Sequence, residues 1–337
     1  MRNVALERNK KYSTCSRTCI VDTPYALSLY LLKTDLEEYS KTAFYLDKNM
    51  PHQIADNLVN ARRMLIKTST IASRIKAIYL RLNCFLEHFL TVRHTEIFAQ
   101  DHISCAARLI GRCNYTLIED SPGAFHRVSS PGYLSGAMPS QMISRIRLRI
   151  FGGPISGRVC GMNNQCMNRW VSQPSDKTAP ALIGRKFELI DIKKLWQSSS
   201  QRKQAEILRI LCNGRDPRQE QGAECQTLIL TQPLMDDYAL SEIEMRDVYA
   251  PFVERYSSEG VAIKPHPRDN FPFQKHFPQA KIIDTLLPMQ LLSCLGMSFK
   301  RVVTISSSAV RSMSPEIEVV YIDVEDNPKI SIMKELR

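Results

Sequence analysis

The stretch Val261-Ala262-Ile263-Lys264-Pro265-His266-Pro267-Arg268-Asp269 decides the reading of this chain. A short apolar run with β-branched members predicts a buried strand, and two prolines around a histidine end it. A second stretch, Arg301-Val302-Val303-Thr304-Ile305, is also strand-like and runs into Ser306-Ser307-Ser308. The two predict loops at the carboxyl ends of neighbouring parallel strands, where open α/β sheets bind their ligands. The prolines stiffen the backbone around His266 and so largely fix the direction of its ring. The three serines precede Ala309-Val310-Arg311 and suit the start of a helix, a seat for a phosphate. The expected site is one for a phosphorylated leaving group. Each motif also has a plainer reading, a loop-capping histidine and an ordinary N-cap.

Outward from these loops the same rhythm holds. Cys19 to Asp22, Ala43 to Leu46, Glu96 to Ala99 and Tyr115 to Ile118 read as strands of a first half. Thr227 to Leu230, Val261 to Lys264, Lys281 to Ile283, Val302 to Ile305 and Val319 to Ile322 read as strands of a second. Helical patterns lie between them: from Thr23-Pro24 onward, over Ile71 to Leu90, from Ser104 to Ile110, and over Leu240 to Tyr256. Ser241 and Glu244 have the spacing of a capping box. Alternating strands and helices predict α/β architecture, two doubly wound Rossmann-like domains facing a cleft. The expected boundaries are 1–160 for an acceptor-side domain, 161–185 for an irregular Gly-, Pro- and Ser-rich connection, and 186–337 for a nucleotide-sugar-binding domain.

Composition narrows the class. The chain has 337 residues, 44% hydrophobic and 23% charged, enough for two ordinary cores and against general disorder. No apolar run approaches the roughly 20 residues of a bilayer span. The basic start, Met1 to Arg17, lacks the apolar core of a secretory signal, so a cytoplasmic protein is expected. Ten scattered cysteines include no Cys-x-x-Cys pair, which predicts free thiols and no zinc site. The net charge of +11 suits an anionic partner: a nucleotide-sugar donor, an anionic membrane surface or nucleic acid. The charge is spread rather than gathered in a nucleic-acid module, which argues against the last. Arg145-Ile146-Arg147-Leu148-Arg149 alternates basic and apolar residues, which reads first as a solvated edge strand or helix and alternatively as a peripheral contact with the inner membrane.

Other chemistries find no motif. Gly152 to Arg158 has glycines spaced like a P-loop but no Lys-Ser/Thr. No Gly-x-Gly-x-x-Gly follows the first strand, which argues against a nicotinamide enzyme. Asp101-His102 has no further metal ligand near it in sequence. Acidic pairs do stand at two strand ends: Glu119-Asp120, before Ser121-Pro122-Gly123, and Asp236-Asp237, after Thr231-Gln232-Pro233-Leu234. Either pair can supply a base for a hydroxyl, or simply form a turn.

The order Ile118-Glu119-Asp120-x-x-Gly123, Leu230-Thr231-Gln232-Pro233-Leu234, Lys264-Pro265-His266-Pro267-Arg268 and Ile305-Ser306-Ser307-Ser308-Ala309 resembles the bacterial sialyltransferases of glycosyltransferase family 52. Asp22-Thr23-Pro24 and Ala99-Gln100-Asp101-His102 add to the resemblance, which spans about residues 18 to 323. It implies a GT-B-type fold and inverting, metal-independent transfer of sialic acid from CMP-sialic acid, without a cofactor. It implies a glycan or glycolipid acceptor, such as a lipooligosaccharide or a capsule, and a homodimer. Carried over residue by residue, it makes His266 the acid at the departing phosphate. Lys264, Pro267, Ser306, Ser307 and Ser308 become donor contacts, with Glu119 beside them. The base falls on Asp120, but two extra residues before Gly123 depart from the family's acidic motif, so Asp237 stays a rival. A cationic His266 imidazole is expected to offset the leaving phosphate's charge. A family hexosyltransferase using another nucleotide sugar, and a non-catalytic basic binding protein, are the competing readings.

Overall fold

The computed structural model describes residues 15–47, 50–64, 82–103, 105–125, 161, 164–172, 179, 182–214, 217 and 225–331. The Arg145 to Arg149 stretch, Gly152 to Arg158 and the first part of the Ile71 to Leu90 helix lie outside them. The chain forms two compact units, Met1–Ile210 and Leu211–Arg337.

The first unit is built on a seven-stranded sheet, parallel throughout. Its strands are β1 (Arg17–Val21), β2 (Thr42–Asp47), β3 (Ala61–Met64), β4 (Glu96–Ala99), β5 (Tyr115–Ile118), β6 (Cys166–Val171) and β7 (Glu188–Leu189). Their order is β3-β2-β1-β4-β5-β6-β7. The chain leaves β1 toward one edge, then returns beside it through β4, which puts the topological switch point between β1 and β4. The central strands are buried on both faces, as sheets covered by helices require. Thr23 caps the helix Pro24–Lys33, its hydroxyl accepting from the Ala26 N–H, and Pro24 lies in the first turn as read from the sequence. Tyr30 of that helix packs on Phe44 and Phe98, and Trp170 of β6 packs on Tyr30 and Phe98.

The expected connection at 161–185 is corrected by β6. Cys166–Val171 pairs with β5 over four residues, so this segment extends the first sheet and the division falls after Ile210. The polar Asn168 and Arg169 hid the strand. Arg169 is buried, its guanidinium donating to the carbonyls of Gly161 and Lys186 instead of reaching solvent.

The second unit carries β8 (Thr227–Leu230), β9 (Val261–Lys264), β10 (Lys281–Ile282), β11 (Arg301–Thr304) and β12 (Glu318–Tyr321), in the order β10-β9-β8-β11-β12. All pairs are parallel, and the switch point lies between β8 and β11. The capping box of Ser241 and Glu244 forms at the start of the helix Glu242–Arg255. Met245, Tyr249 and Val253 of that helix join Ile229, Ile263 and Val303 in the core. Among the described residues no helix is long and apolar enough to cross a membrane.

Tyr249 is fully buried, and its hydroxyl accepts the Gln232 N–H at 3.1 Å, tying the core helix to the loop after β8. Tyr249→Phe keeps the ring and strands that N–H, so it lowers stability by about 1 kcal/mol. Urea unfolding checks this, and an unchanged midpoint contradicts it.

Candidate functional site

In the second unit three loops leave the carboxyl ends of β8, β9 and β11. The strands carrying His266 and the serines are not adjacent: β8 lies between them, and its loop links the other two. The Thr231 hydroxyl accepts the His266 backbone N–H at 3.0 Å and donates to Asp269 Oδ2 at 2.9 Å. Asp269 Oδ1 accepts the Phe271 N–H at 3.1 Å, which folds the His266 loop back on itself. On the other side the Thr304 hydroxyl donates to the Leu230 carbonyl at 3.1 Å and accepts the Ser307 N–H at 3.2 Å. Two sets of hydrogen bonds, one on Thr231 and one on Thr304, thus tie the His266 and serine loops to the end of β8. Thr231 and Asp269 were missed as site residues, because a threonine ending a strand and an acid after a proline loop look like ordinary turn chemistry.

His266 Nδ1 accepts the Arg268 N–H at 3.2 Å. The neutral ring therefore carries its proton on Nε2. Burial pulls its pKa down to about 4, and the positive charges of Arg268 and Lys264 pull the same way. The expected cationic imidazole is corrected: in the free protein at neutral pH the ring is a neutral N–H donor. An anion at Nε2 works against both effects and raises the pKa.

Lys264 does not reach into the loop region. Its side chain is buried and Nζ donates to the Thr285 carbonyl at 3.0 Å, so it reaches an anion by its field alone. Burial pulls its pKa down to about 8. Pro267 holds the half-buried turn between His266 and Arg268. Asp237 lies on the short helix Leu234–Tyr238 and is gripped by Arg268 through two hydrogen bonds of 2.8 Å. With both carboxylate oxygens taken up by the guanidinium, its evident work is to brace the His266 loop. Asp269 moves the other way: burial pushes its carboxyl up to about 6.

The serines begin a five-residue 3-10 turn, Ser308–Ser312, rather than an α-helix. Ser307 is its cap, accepting the Ala309 N–H at 3.3 Å. Such a turn has little macrodipole, so anion attraction here rests on hydroxyls and on local N–H groups. The half-buried Ser306 and Ser308 flank that cap.

In the first unit the acidic pair divides at the end of β5. Glu119 is buried, and its Oε1 accepts the Tyr25 hydroxyl and the Ser172 N–H, both at 2.8 Å. That makes it a brace between β5, β6 and the helix Pro24–Lys33, not the donor contact expected. Asp120 is turned outward and is about two-fifths exposed; its Oδ1 accepts from Gln100 Nε2 at 2.8 Å and lies 3.9 Å from His102 Nε2. Fully buried Gln100 also accepts the Asp22 N–H at 2.5 Å, and the Thr23 hydroxyl donates to the Asp120 carbonyl. The ends of β1, β4 and β5 are thereby fixed at the switch point. No group of three or more His, Cys, Asp or Glu side chains is placed to hold a metal ion among the described residues.

Comparison with known proteins places this architecture. An uncharacterized protein of Haemophilus influenzae is 26% identical over 323 residues, covering 92% of this chain and 95% of its own. The 2,6-sialyltransferase of Photobacterium sp. JT-ISH-224, solved with CMP and lactose, superposes with a TM-score of 0.56 at 13% identity, covering 96% of this chain and 76% of its own. The GT-B domain of a Photobacterium damselae sialyltransferase gives 0.54 at 14% identity, covering 95% of each chain. UDP-GlcNAc 2-epimerase of Neisseria meningitidis, bound to UDP-GlcNAc, gives 0.52 at 10% identity, covering 94% of this chain and 84% of its own. At such identities these structures share the fold, the two-unit GT-B-type architecture. The family follows from the sequence itself, whose residues 46–326 match the model of glycosyltransferase family 52, and the chain belongs to that family.

Proposed function

We propose that this glycosyltransferase is an inverting, metal-independent sialyltransferase that moves sialic acid from CMP-sialic acid to a cell-surface glycan. The observation that carries the reading is His266. A neutral imidazole with its proton on Nε2 is held by Thr231, Asp269 and Arg268 at the carboxyl end of a parallel sheet, one strand away from the serine loop. Sialyl transfer breaks the bond from the sugar's anomeric carbon to a phosphate oxygen, and negative charge grows on that phosphate as it leaves. A preorganised N–H, hydroxyls and the nearby charges of Lys264 and Arg268 stabilise that charge without reorganising. As the charge grows, the imidazole's pKa rises and its proton becomes easier to share with the phosphate. The acceptor hydroxyl must lose a proton to a separate base. Asp120 suits this better than Asp237: it is turned outward and takes one hydrogen bond from Gln100, whereas Asp237 is clamped by Arg268.

The experiment is release of CMP from CMP-sialic acid by purified protein with EDTA present. Wild-type release that falls about 100-fold in His266→Ala supports the reading, that being the scale for loss of a general acid. No release by the wild type, and no thermal stabilisation by CMP, contradicts it. Asp120→Asn is expected to cut transfer to acceptor about 100-fold while leaving CMP-induced stabilisation intact. Asp237→Asn is expected to weaken that stabilisation, because it frees Arg268 and loosens the loop.

The same geometry fixes a pH dependence. The His266 pKa is depressed on folding from its ordinary 6.5 to about 4, so between those values the unfolded chain binds more protons. Its contribution to stability is full above pH 6.5 and is lost as pH falls toward 4. Asp269, raised from 3.8 to about 6, has the opposite slope in its own window. His266→Gln therefore loses less stability than the wild type on acidification from pH 6.5 to 4, as read by urea unfolding; parallel losses contradict the buried neutral ring.

A further inference from the structure

An acid beside a site for a phosphate needs a reason, because its charge repels the ligand. Asp269 is such a group, three residues after His266 in the same loop. Its two carboxylate oxygens are used separately: Oδ2 accepts the Thr231 hydroxyl at 2.9 Å and Oδ1 accepts the Phe271 N–H at 3.1 Å. With its hydrogen drawn to Asp269, Thr231 Oγ turns a lone pair to the His266 N–H at 3.0 Å. Only an ionised carboxylate accepts on both oxygens. A protonated one, or an asparagine amide, carries a donor where an acceptor is needed. The backbone N–H of Phe271 cannot turn round, so the added hydrogen meets the Thr231 hydroxyl. Thr231 Oγ must then accept from both Asp269 and His266, and its own hydrogen, in a residue only 3% exposed, loses its acceptor.

The charge of this group is balanced close to neutrality. Burial lifts the Asp269 carboxyl from its ordinary 3.8 to about 6, and Asp236 of the helix Leu234–Tyr238 adds to the rise. Tyr249 of the helix Glu242–Arg255 also bears on it, its phenol kept neutral by burial. The Arg268 guanidinium, beside it in the chain, grips Asp237. His266, held down by burial and by the charges of Arg268 and Lys264, titrates at about 4, a separate step. We propose that Asp269 and Thr231 are a positioning pair for the donor's phosphate: the ionised carboxylate orients the Thr231 hydroxyl, which holds His266 at the height where Nε2 meets the ligand. The proposal takes its ligand from the CMP-sialic acid reading, while its hydrogen-bond geometry is read in the free protein. Asp269 is ionised above its value of about 6 and protonated below it, so the pair forms at neutral pH and is lost on acidification. A carboxylate near the site thereby strengthens anion binding, the reverse of what its charge alone does.

The test compares CMP binding by the full chain and by Asp269→Asn at about pH 7.5 and about pH 5, which bracket the carboxyl's value of about 6. The phosphate's own titration is common to both proteins, so the ratio of their dissociation constants is read. Asp269→Asn is expected to bind about tenfold more weakly at the higher pH, the scale of one hydrogen bond to a charged group, and as well as the wild type at the lower. Thr231→Val is expected to lose about as much, and Thr231→Ser, which keeps the hydroxyl, to stay within about twofold of the wild type. Tighter binding by Asp269→Asn at the higher pH overturns the proposal, because the carboxylate then only repels. A ratio that does not change with pH also overturns it, since a merely structural residue gives that result. In the ligand-free wild type the backbone amide resonance of His266 is expected to shift with a midpoint near pH 6. That readout needs no variant, and a resonance indifferent across the range overturns the geometry whatever the protein binds. A wild type with that shift but no affinity for CMP contradicts the donor reading, and with it the role toward that ligand, while the hydrogen-bond geometry stands.

Discussion

The Thr231 hydroxyl is the constraint on which the second unit's loop region depends. It is one of the few groups that can accept and donate at once. It uses both capacities across strands, accepting from the His266 backbone and donating to Asp269. Remove that double bond and two prolines still stiffen the loop, but nothing sets its height above the sheet. This anchoring sets the depth of the His266 loop, while the Arg268 N–H on Nδ1 sets the ring's tautomer, and burial with the charges of Arg268 and Lys264 lowers its pKa. Arg268 closes the other side by gripping Asp237, so the histidine sits between two braces.

The same economy appears in the first unit, where Gln100 plays the part of Thr231. A buried amide must satisfy both its donor and its acceptor ends, and Gln100 does so with the Asp22 N–H and the Asp120 carboxylate. Both hubs lie at strand ends by a switch point. There the two halves of a doubly wound sheet diverge and leave backbone groups open for side chains to bridge. The fold thus explains why each unit presents its polar residues at the same end of its sheet.

Much of the fold was legible because buried parallel strands are continuous apolar runs. Tyr115 to Ile118, Thr227 to Leu230 and Val261 to Lys264 were read to the residue. β6 was not, since Asn168 and Arg169 interrupt the run, and a buried arginine is visible only through the carbonyls that hold it. The position of His266 was legible from its prolines, but its charge was not. That depends on depth and on the charges of Lys264 and Arg268, set by tertiary packing. Lys264 shows the limit most clearly: its place beside the motif suggested a phosphate ligand, yet it turns toward Thr285. Sequence fixes which residues end a strand more reliably than which way the last side chain turns.

The central claim is that His266 presents an Nε2 proton to the donor's phosphate, and nitrogen NMR of the imidazole rings, assigned by a His266→Gln variant, tests it most directly. A neutral ring protonated on Nε2 is expected in the free protein at pH 7, with a clear shift of that nitrogen when CMP is added. A ring protonated on Nδ1, or an Nε2 resonance that saturating CMP leaves in place, would contradict it.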